Sequence, residues 1–272
     1  MLRLFRDTLH IGLYADRVVL VREPGVLGGR GREQHSGQVL PNALAGAAPL
    51  DALQQLLQEP RWRGADARVQ LSNALVYYAV VPASAHLMGA GDEVALAYLK
   101  FRQMQGAGSA ACDVRLGNLL SGRDQIAAAM ESGFVQRLRH ILQEADVRLS
   151  SLEPFLMQAF NRVRRQLVGA DFWFALAEPG LLVLARCQGG NWVSLAANAL
   201  NGPLARELPV QLQEARLMST ALSDARRVYL YAPGMDSAGC ELGPDLELVR
   251  VADSKKSNPI TSVQADGLAL EH

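Results

Sequence analysis

The stretch Val147–Trp192, VRLSSLEPFLMQAFNRVRRQLVGADFWFALAEPGLLVLARCQGGNW, decides how this chain is read. Its first residues, Val147–Leu149, have strand character. Ser151 stands where a helix N-cap accepts a free backbone N–H, and Pro154 sits early enough to forfeit no intrahelical bond. Leu152, Phe155, Leu156, Ala159, Phe160, Val163 and Leu167 recur at helical spacing as one apolar stripe, with Arg162, Arg164 and Arg165 mostly off it. From Phe172 the pattern changes to strand, Phe-Trp-Phe-Ala-Leu-Ala. It turns at Glu178-Pro179-Gly180, continues over Leu181–Arg186 and turns again at Gln188-Gly189-Gly190-Asn191. A helix that feeds a fresh β-meander marks a junction between two similar lobes.

Outward from that junction the order of elements repeats. On the amino-terminal side, Leu9–Tyr14 and Arg17–Arg22 flank Ala15-Asp16 as a hairpin. The run Gly25–Gly31 reads as a hairpin tip, because it lacks the spacing and context of a dinucleotide loop. Ser36–Leu40 adds a third strand. Leu50, Leu53, Leu56 and Leu57 make a short helix ended by Pro60. Strands at Ala67–Leu71 and Ala74–Val81 precede a helix capped by Asp92, with Val94, Ala97, Tyr98, Phe101 and Met104 as its apolar positions. Cys112–Leu116 and Gln125–Met130 read as strands, and Ser132 opens a helix. On the carboxyl side come Trp192–Leu195, a helical region from Leu204 to Leu222 interrupted by Pro209, and strands at Arg227–Tyr231 and Leu246–Val251. A meander followed by α/β alternation, twice, predicts an α/β chain of two lobes around a cleft, with mixed sheets flanked by helices. The division expected is a first lobe over 1–150 with a small inserted subdomain at about 73–130, a second lobe over 151–252, and a loose polar tail over 253–272. Leu270-Glu271-His272 read as the start of an expression tag.

Composition narrows the function classes. Of 272 residues, 49% are hydrophobic, and Lys+Arg equal Asp+Glu at 27 each, which removes the electrostatic case for nucleic acid as a partner. Cys112, Cys187 and Cys240 share no metal or disulfide spacing and read as small core residues in a reducing compartment. No apolar run approaches the ~20 residues that cross a bilayer, and the amino terminus has no signal-peptide core. The expected location is cytoplasmic. His10, His35, His86, His140 and His272 have no ligand spacing and no evident Ser or Asp partner, so no catalytic residue and no metal site is assigned.

Four stretches together resemble the actin-like PilM / GspL / MshI group of type IV pilus and type II secretion platform proteins. The first is Met1-Leu-Arg-Leu-Phe-Arg leading into His10-Ile11-Gly12-Leu13. The second is Val69–Asn73 through Val76–Pro82. The third is Tyr98-Leu99-Lys100-Phe101-Arg102 followed by Gly106. The fourth, Arg148–Pro154 with Phe160-Asn161-Arg162 and Glu178-Pro179-Gly180, is similar to the GspL middle region. The likeness runs from Met1 to about Met235.

That resemblance implies the actin-like (ribonuclease H-like) fold, with ATP and magnesium held by two phosphate hairpins and an adenosine loop. Tight glycine turns bring backbone N–H groups to phosphate oxygens, and an acid in each hairpin holds hydrated Mg²⁺. Here the first hairpin is Gly12-Leu13-Tyr14-Ala15-Asp16-Arg17, with Tyr14 in the place of the acid. The second is Glu178-Pro179-Gly180, which keeps an acid but loses the hydroxyl. The adenosine loop is Ala232-Pro233-Gly234. Gly12, Tyr14, Asp16, Glu178, Gly180 and Gly234 are therefore the positions of a degenerate nucleotide cleft, and no cofactor is expected. The resemblance further implies a cytoplasmic scaffold, peripheral to the inner membrane, which engages the tail of a bitopic membrane protein and the assembly ATPase and forms a homodimer. Tyr78, Tyr98, Phe101 and Arg102 are the candidate partner-facing residues. The alternative is a PilM-type protein that binds ATP with Mg and uses it to tune partner affinity.

Overall fold

A computed structural model describes residues 6–25, 33–38, 48–82, 90–105, 111–117, 124–219, 225–253 and 260. In chain order its strands are β1 (Thr8–Leu13), β2 (Arg17–Glu23), β3 (Glu33–Gln38), β4 (Asp66–Leu71), β5 (Tyr77–Val81), β6 (Cys112–Leu116), β7 (Gln125–Glu131), β8 (Arg148–Pro154), β9 (Phe172–Glu178), β10 (Leu181–Gln188), β11 (Asn191–Ala199), β12 (Arg227–Tyr231) and β13 (Glu247–Arg250). The helices are α1 (Ala48–Leu56), α2 (Ala90–Gln105), α3 (Ser132–Glu144), α4 (Phe155–Val163) and α5 (Leu204–Met218). The expected tip at Gly25–Gly31, the opening Met1–Phe5, Gly106 and Leu270–His272 lie outside the described residues, apart from Gly25. None of the described helices is long and apolar enough to cross a membrane.

The chain forms two compact units. One comprises Met1–Val76, Met130–Gln158 and Ser257–His272; the other comprises Tyr77–Ala129 and Ala159–Lys256. In the first unit β1, β2 and β3 make an antiparallel meander, and β4 and then β8 add in parallel, giving the order β3-β2-β1-β4-β8. The β1–β2 turn is closed by the Tyr14 N–H donating to Arg17 O at 2.9 Å. Leu9, Ile11 and Leu13 alternate to one face, and all are fully buried. Their burial matches that of Leu50 and Leu53 of α1 and of Val135, Leu138, Ile141 and Leu142 of α3.

The segment Arg148–Pro154 departs from its reading as a helix start. Ser151 and Pro154 are strand residues, paired with Arg68 and Leu71 across a register shift. A run of Ser and Pro mimics a helix cap, but parallel pairing to β4 satisfies more backbone groups than one cap does. The helix begins at Phe155, and its Leu156 N–H donates to the buried Asn73 Oδ1 at 2.9 Å. Leu167 falls beyond the end of α4.

The second unit holds two sheets. The smaller is β5-β7-β6, with Ala97 and Phe101 of α2 packed against Ala79, Val81, Ala127 and Ala129. The larger is β11-β10-β9-β12-β13, with β9 antiparallel to β10 and parallel to β12. Leu204, Leu208 and Leu212 of α5 pack on Trp173, Ala175, Leu184, Val228 and Leu230. α5 runs unbroken through Pro209, where an interruption was expected. Burial of Leu208 and Leu212 against the sheet holds the helix together despite the lost backbone donor. Phe160 meets Phe174 and Trp192 edge-on, at centroid distances of 5.7 Å and 4.9 Å.

The tail is not loose throughout. Ile260 is 1% exposed and packs with Tyr14, Val19 and Val21 of the first unit. A single aliphatic residue among polar neighbours carries no periodicity, so its docking left no pattern to read.

Candidate functional site

The first candidate hairpin is the turn between β1 and β2. Gly12 lies in β1 against the Tyr14 ring and Ile260. A Cβ on Gly12 would stand 2.7 Å from Ile260 Cγ2 and 2.9 Å from Tyr14 Cε2, so only glycine fits without a shift. Tyr14 is 3% exposed, and its hydroxyl accepts a hydrogen bond from Gln70 Nε2 at 2.9 Å. The Arg17 guanidinium lies over the Tyr14 ring, 4.8 Å from the centroid. Asp16 is exposed at the turn and pairs with Arg17 at 3.0 Å. Gly12 and Tyr14 are thus in contact, while the Asp16 carboxylate is already neutralised by its neighbour. At the position where the resemblance implies a magnesium-holding acid there is a buried phenol seated on a glutamine, with an aliphatic side chain beside it.

The second hairpin is in the other unit. Glu178 ends β9 at 2% exposure, and Gly180 takes φ +79° in the Pro179-Gly180 turn, a region that favours glycine. Leu200 N–H donates to Gly180 O at 3.0 Å and fixes the turn. The turn after β12 places Gly234 at φ +71°, held by Met235 N–H donating to Ala232 O at 3.3 Å. Because Tyr231 pairs in parallel with Leu176, the Glu178 and Gly234 turns both leave the same end of this sheet. These are the two turns to which the resemblance assigns a phosphate and a base, and Pro179 removes one backbone donor from the first.

Among the candidate partner-facing residues, Phe101 is 2% exposed inside the small sheet–helix layer, and Tyr78 of β5 is also buried. Strand alternation puts Tyr78 on the face of β5 opposite Ala79 and Val81, where it is buried, while Tyr77 is 44% exposed. These two are therefore core residues, which corrects their placement on a contact surface. Tyr98, 41% exposed, and Arg102 remain on the outer side of α2. Lys100 Nζ donates to Val80 O at 2.6 Å and ties the helix to β5.

Other reactive groups are muted. Burial pushes the Cys187 thiol up to about 11, against a weaker opposing effect of a hydrogen bond from the Gly190 backbone, so the thiolate is scarce at neutral pH. Burial also raises the Cys240 thiol. Among the described residues, no three His, Cys, Asp or Glu side chains gather as metal ligands would. Sequence reading missed Gln70, whose signal was a lone amide in the otherwise apolar end of β4, and it missed Ile260.

Neither a protein-family model nor a curated protein matches the sequence. Solved structures do match. A Bacteroides thetaiotaomicron protein of actin-like ATPase fold and unknown function is similar over 88% of this chain and 87% of its own, at TM-score 0.57 and 12% identity. The cytoplasmic domain of EpsL, an inner-membrane component of the type II secretion system of Vibrio cholerae, matches over 98% and 96%, at TM-score 0.56 and 12% identity. A chain of the PilM–PilN type IV pilus biogenesis complex matches over 84% and 82%, at TM-score 0.55 and 16% identity. With a meander-plus-parallel sheet in each unit and these likenesses over most of its length, the chain has the actin-like ATPase fold.

Proposed function

We propose that this protein is a non-catalytic cytoplasmic scaffold, peripheral to the inner membrane, in a platform of the type IV pilus or type II secretion kind. It links the tail of a bitopic membrane protein to the assembly ATPase, and it works as a homodimer without a nucleotide cofactor. The observation that carries the reading is Tyr14. It fills the acid position of the first hairpin, is buried, and is bonded to Gln70. A phenol there offers no charge to hydrated magnesium and no donor pair to a triphosphate. The overall likeness to the EpsL cytoplasmic domain and to the PilM–PilN complex supports the setting, since both belong to such platforms. The outer side of α2, with Tyr98 and Arg102, is the surface offered to a partner.

Glu178 and the left-handed Gly180 favour a second reading, in which an acid and a phosphate-type turn survive and ATP with Mg tunes partner affinity. Thermal melting under Mg-ATP separates the two. A site filled a hundredfold above its dissociation constant adds ~2.7 kcal/mol of stability. The scaffold reading expects no shift at millimolar Mg-ATP. It also expects calorimetric binding of a bitopic partner's cytoplasmic tail, weakened by Arg102→Glu. An ATP-dependent shift establishes the second reading, and failure with every such tail removes the first.

A further inference from the structure

Three arginines, Arg139 and Arg148 with the sequence-distant Arg6, converge on one cavity of about 300 Å³ in the first unit. It lies at the end of the sheet where β4 and β8 begin, whereas the Tyr14 turn follows the other end of β1. Leu142 and Val147, both buried, form part of its apolar wall, and Asp146 stands at its rim. The frame is rigid. Val147 N–H donates to Leu142 O at 2.8 Å, Arg148 N–H to Ala65 O at 3.0 Å, and Gly64 N–H to Asp146 O at 2.9 Å. Asp146 itself sits at φ +55°, a conformation that Asp and Asn tolerate better than other side chains.

The charges do not cancel. Asp66 binds the Arg148 guanidinium through both carboxylate oxygens, one contact being Arg148 Nε to Asp66 Oδ1 at 2.9 Å. It also faces Arg6 at 3.8 Å. Among the described residues Arg139 has no ion pair. It stands in the carboxyl-terminal half of α3 but short of the last turn, so the helix dipole contributes little to holding a cation there. The dipole does not account for its convergence with two other guanidinium groups on a concavity. Planar guanidinium forks match the oxygens of phosphate, and an apolar wall beside them suits the body of a small molecule.

We propose that this cavity is a phosphate-group site that takes a small phosphorylated molecule. A phosphate carried on a lipid headgroup would present the same chemistry. The balance of 27 basic against 27 acidic residues gives the chain no broad attraction to an anionic surface, which favours a molecule free in solution. The site is separate from the degenerate nucleotide loops and does not depend on the scaffold reading.

The test is calorimetric titration of the full chain with inorganic pyrophosphate, beside co-sedimentation with phosphatidylcholine vesicles containing phosphatidic acid. Pyrophosphate binding is expected at low salt, weakening as salt rises. Arg139→Gln should weaken it about tenfold without lowering the melting temperature, because Arg139 bonds no described residue. Asp146→Asn keeps the tolerated backbone conformation and removes the opposing charge, so it should tighten binding severalfold. Binding to the vesicles alone, with the same response to both variants, keeps the phosphate chemistry and assigns it to a headgroup. Absence of binding to either probe, or binding indifferent to both substitutions, overturns the proposal.

Discussion

Tyr14 is the side chain on which the proposed scaffold reading turns. Its ring rests against Gly12 and Ile260, and its hydroxyl holds the Gln70 amide deep in the sheet. Tyr14→Phe keeps the packing and strands a buried donor, so the expected loss is about 1–2 kcal/mol in urea unfolding, with little change in m-value. A loss of the whole fold would instead mean that the hydroxyl organises more than one glutamine. That a tyrosine stands where the resembled motif has an acid is legible in the sequence, because a motif position can be checked residue by residue. The replacement bond is not legible there, because Gln70 lies fifty-six positions away and only strand register brings the two together. The arginine cavity is hidden for the same reason. Arg6 precedes β1, Arg139 lies within α3 and Arg148 starts β8, and folding alone brings Arg6 to the other two.

The elements that carried the clearest local signals were the easiest to read. Gly180 and the Gly189-Gly190 pair all take positive φ and bound β9, β10 and β11 where the turn residues put them. Ser132 opens α3 as its position suggests. The β8–α4 boundary failed because two local rules pointed to a helix while a nonlocal one, pairing with β4, pointed to a strand. Asn73 marks the true boundary. Its amide oxygen, from a short 3₁₀ turn after β4, accepts the Leu156 N–H in the first turn of α4. Asn73→Ala should therefore cost about 1–2 kcal/mol, read by urea denaturation. Amide exchange at Leu156 should accelerate by more than at Val163, and an equal acceleration at both would show that Asn73 supports the unit generally rather than the helix start.

At the scale of the whole molecule, each unit is assembled from separate lengths of chain. Residues 1–76, 130–158 and 257–272 make one, and 77–129 with 159–256 make the other. Composition and periodicity report runs of residues, so they reveal the order of elements but not which runs share a core. Ile260 is the measurable case. It is the one described residue of the last segment and lies against Tyr14, Val19 and Val21. Ile260→Ala should destabilise the protein by about 2–4 kcal/mol through lost burial and the cavity left behind. A change below ~0.5 kcal/mol would show that the contact contributes little.

The interleaving also sets a timetable for biosynthesis. A ribosome that has released the first hundred and fifty or so residues holds a sheet whose last apolar cover has not yet been translated, since that cover arrives with position 260. Val19, Val21 and the Tyr14 ring remain uncovered by it through nearly the entire passage, and the nascent chain offers them to whatever folding factor waits at the exit tunnel.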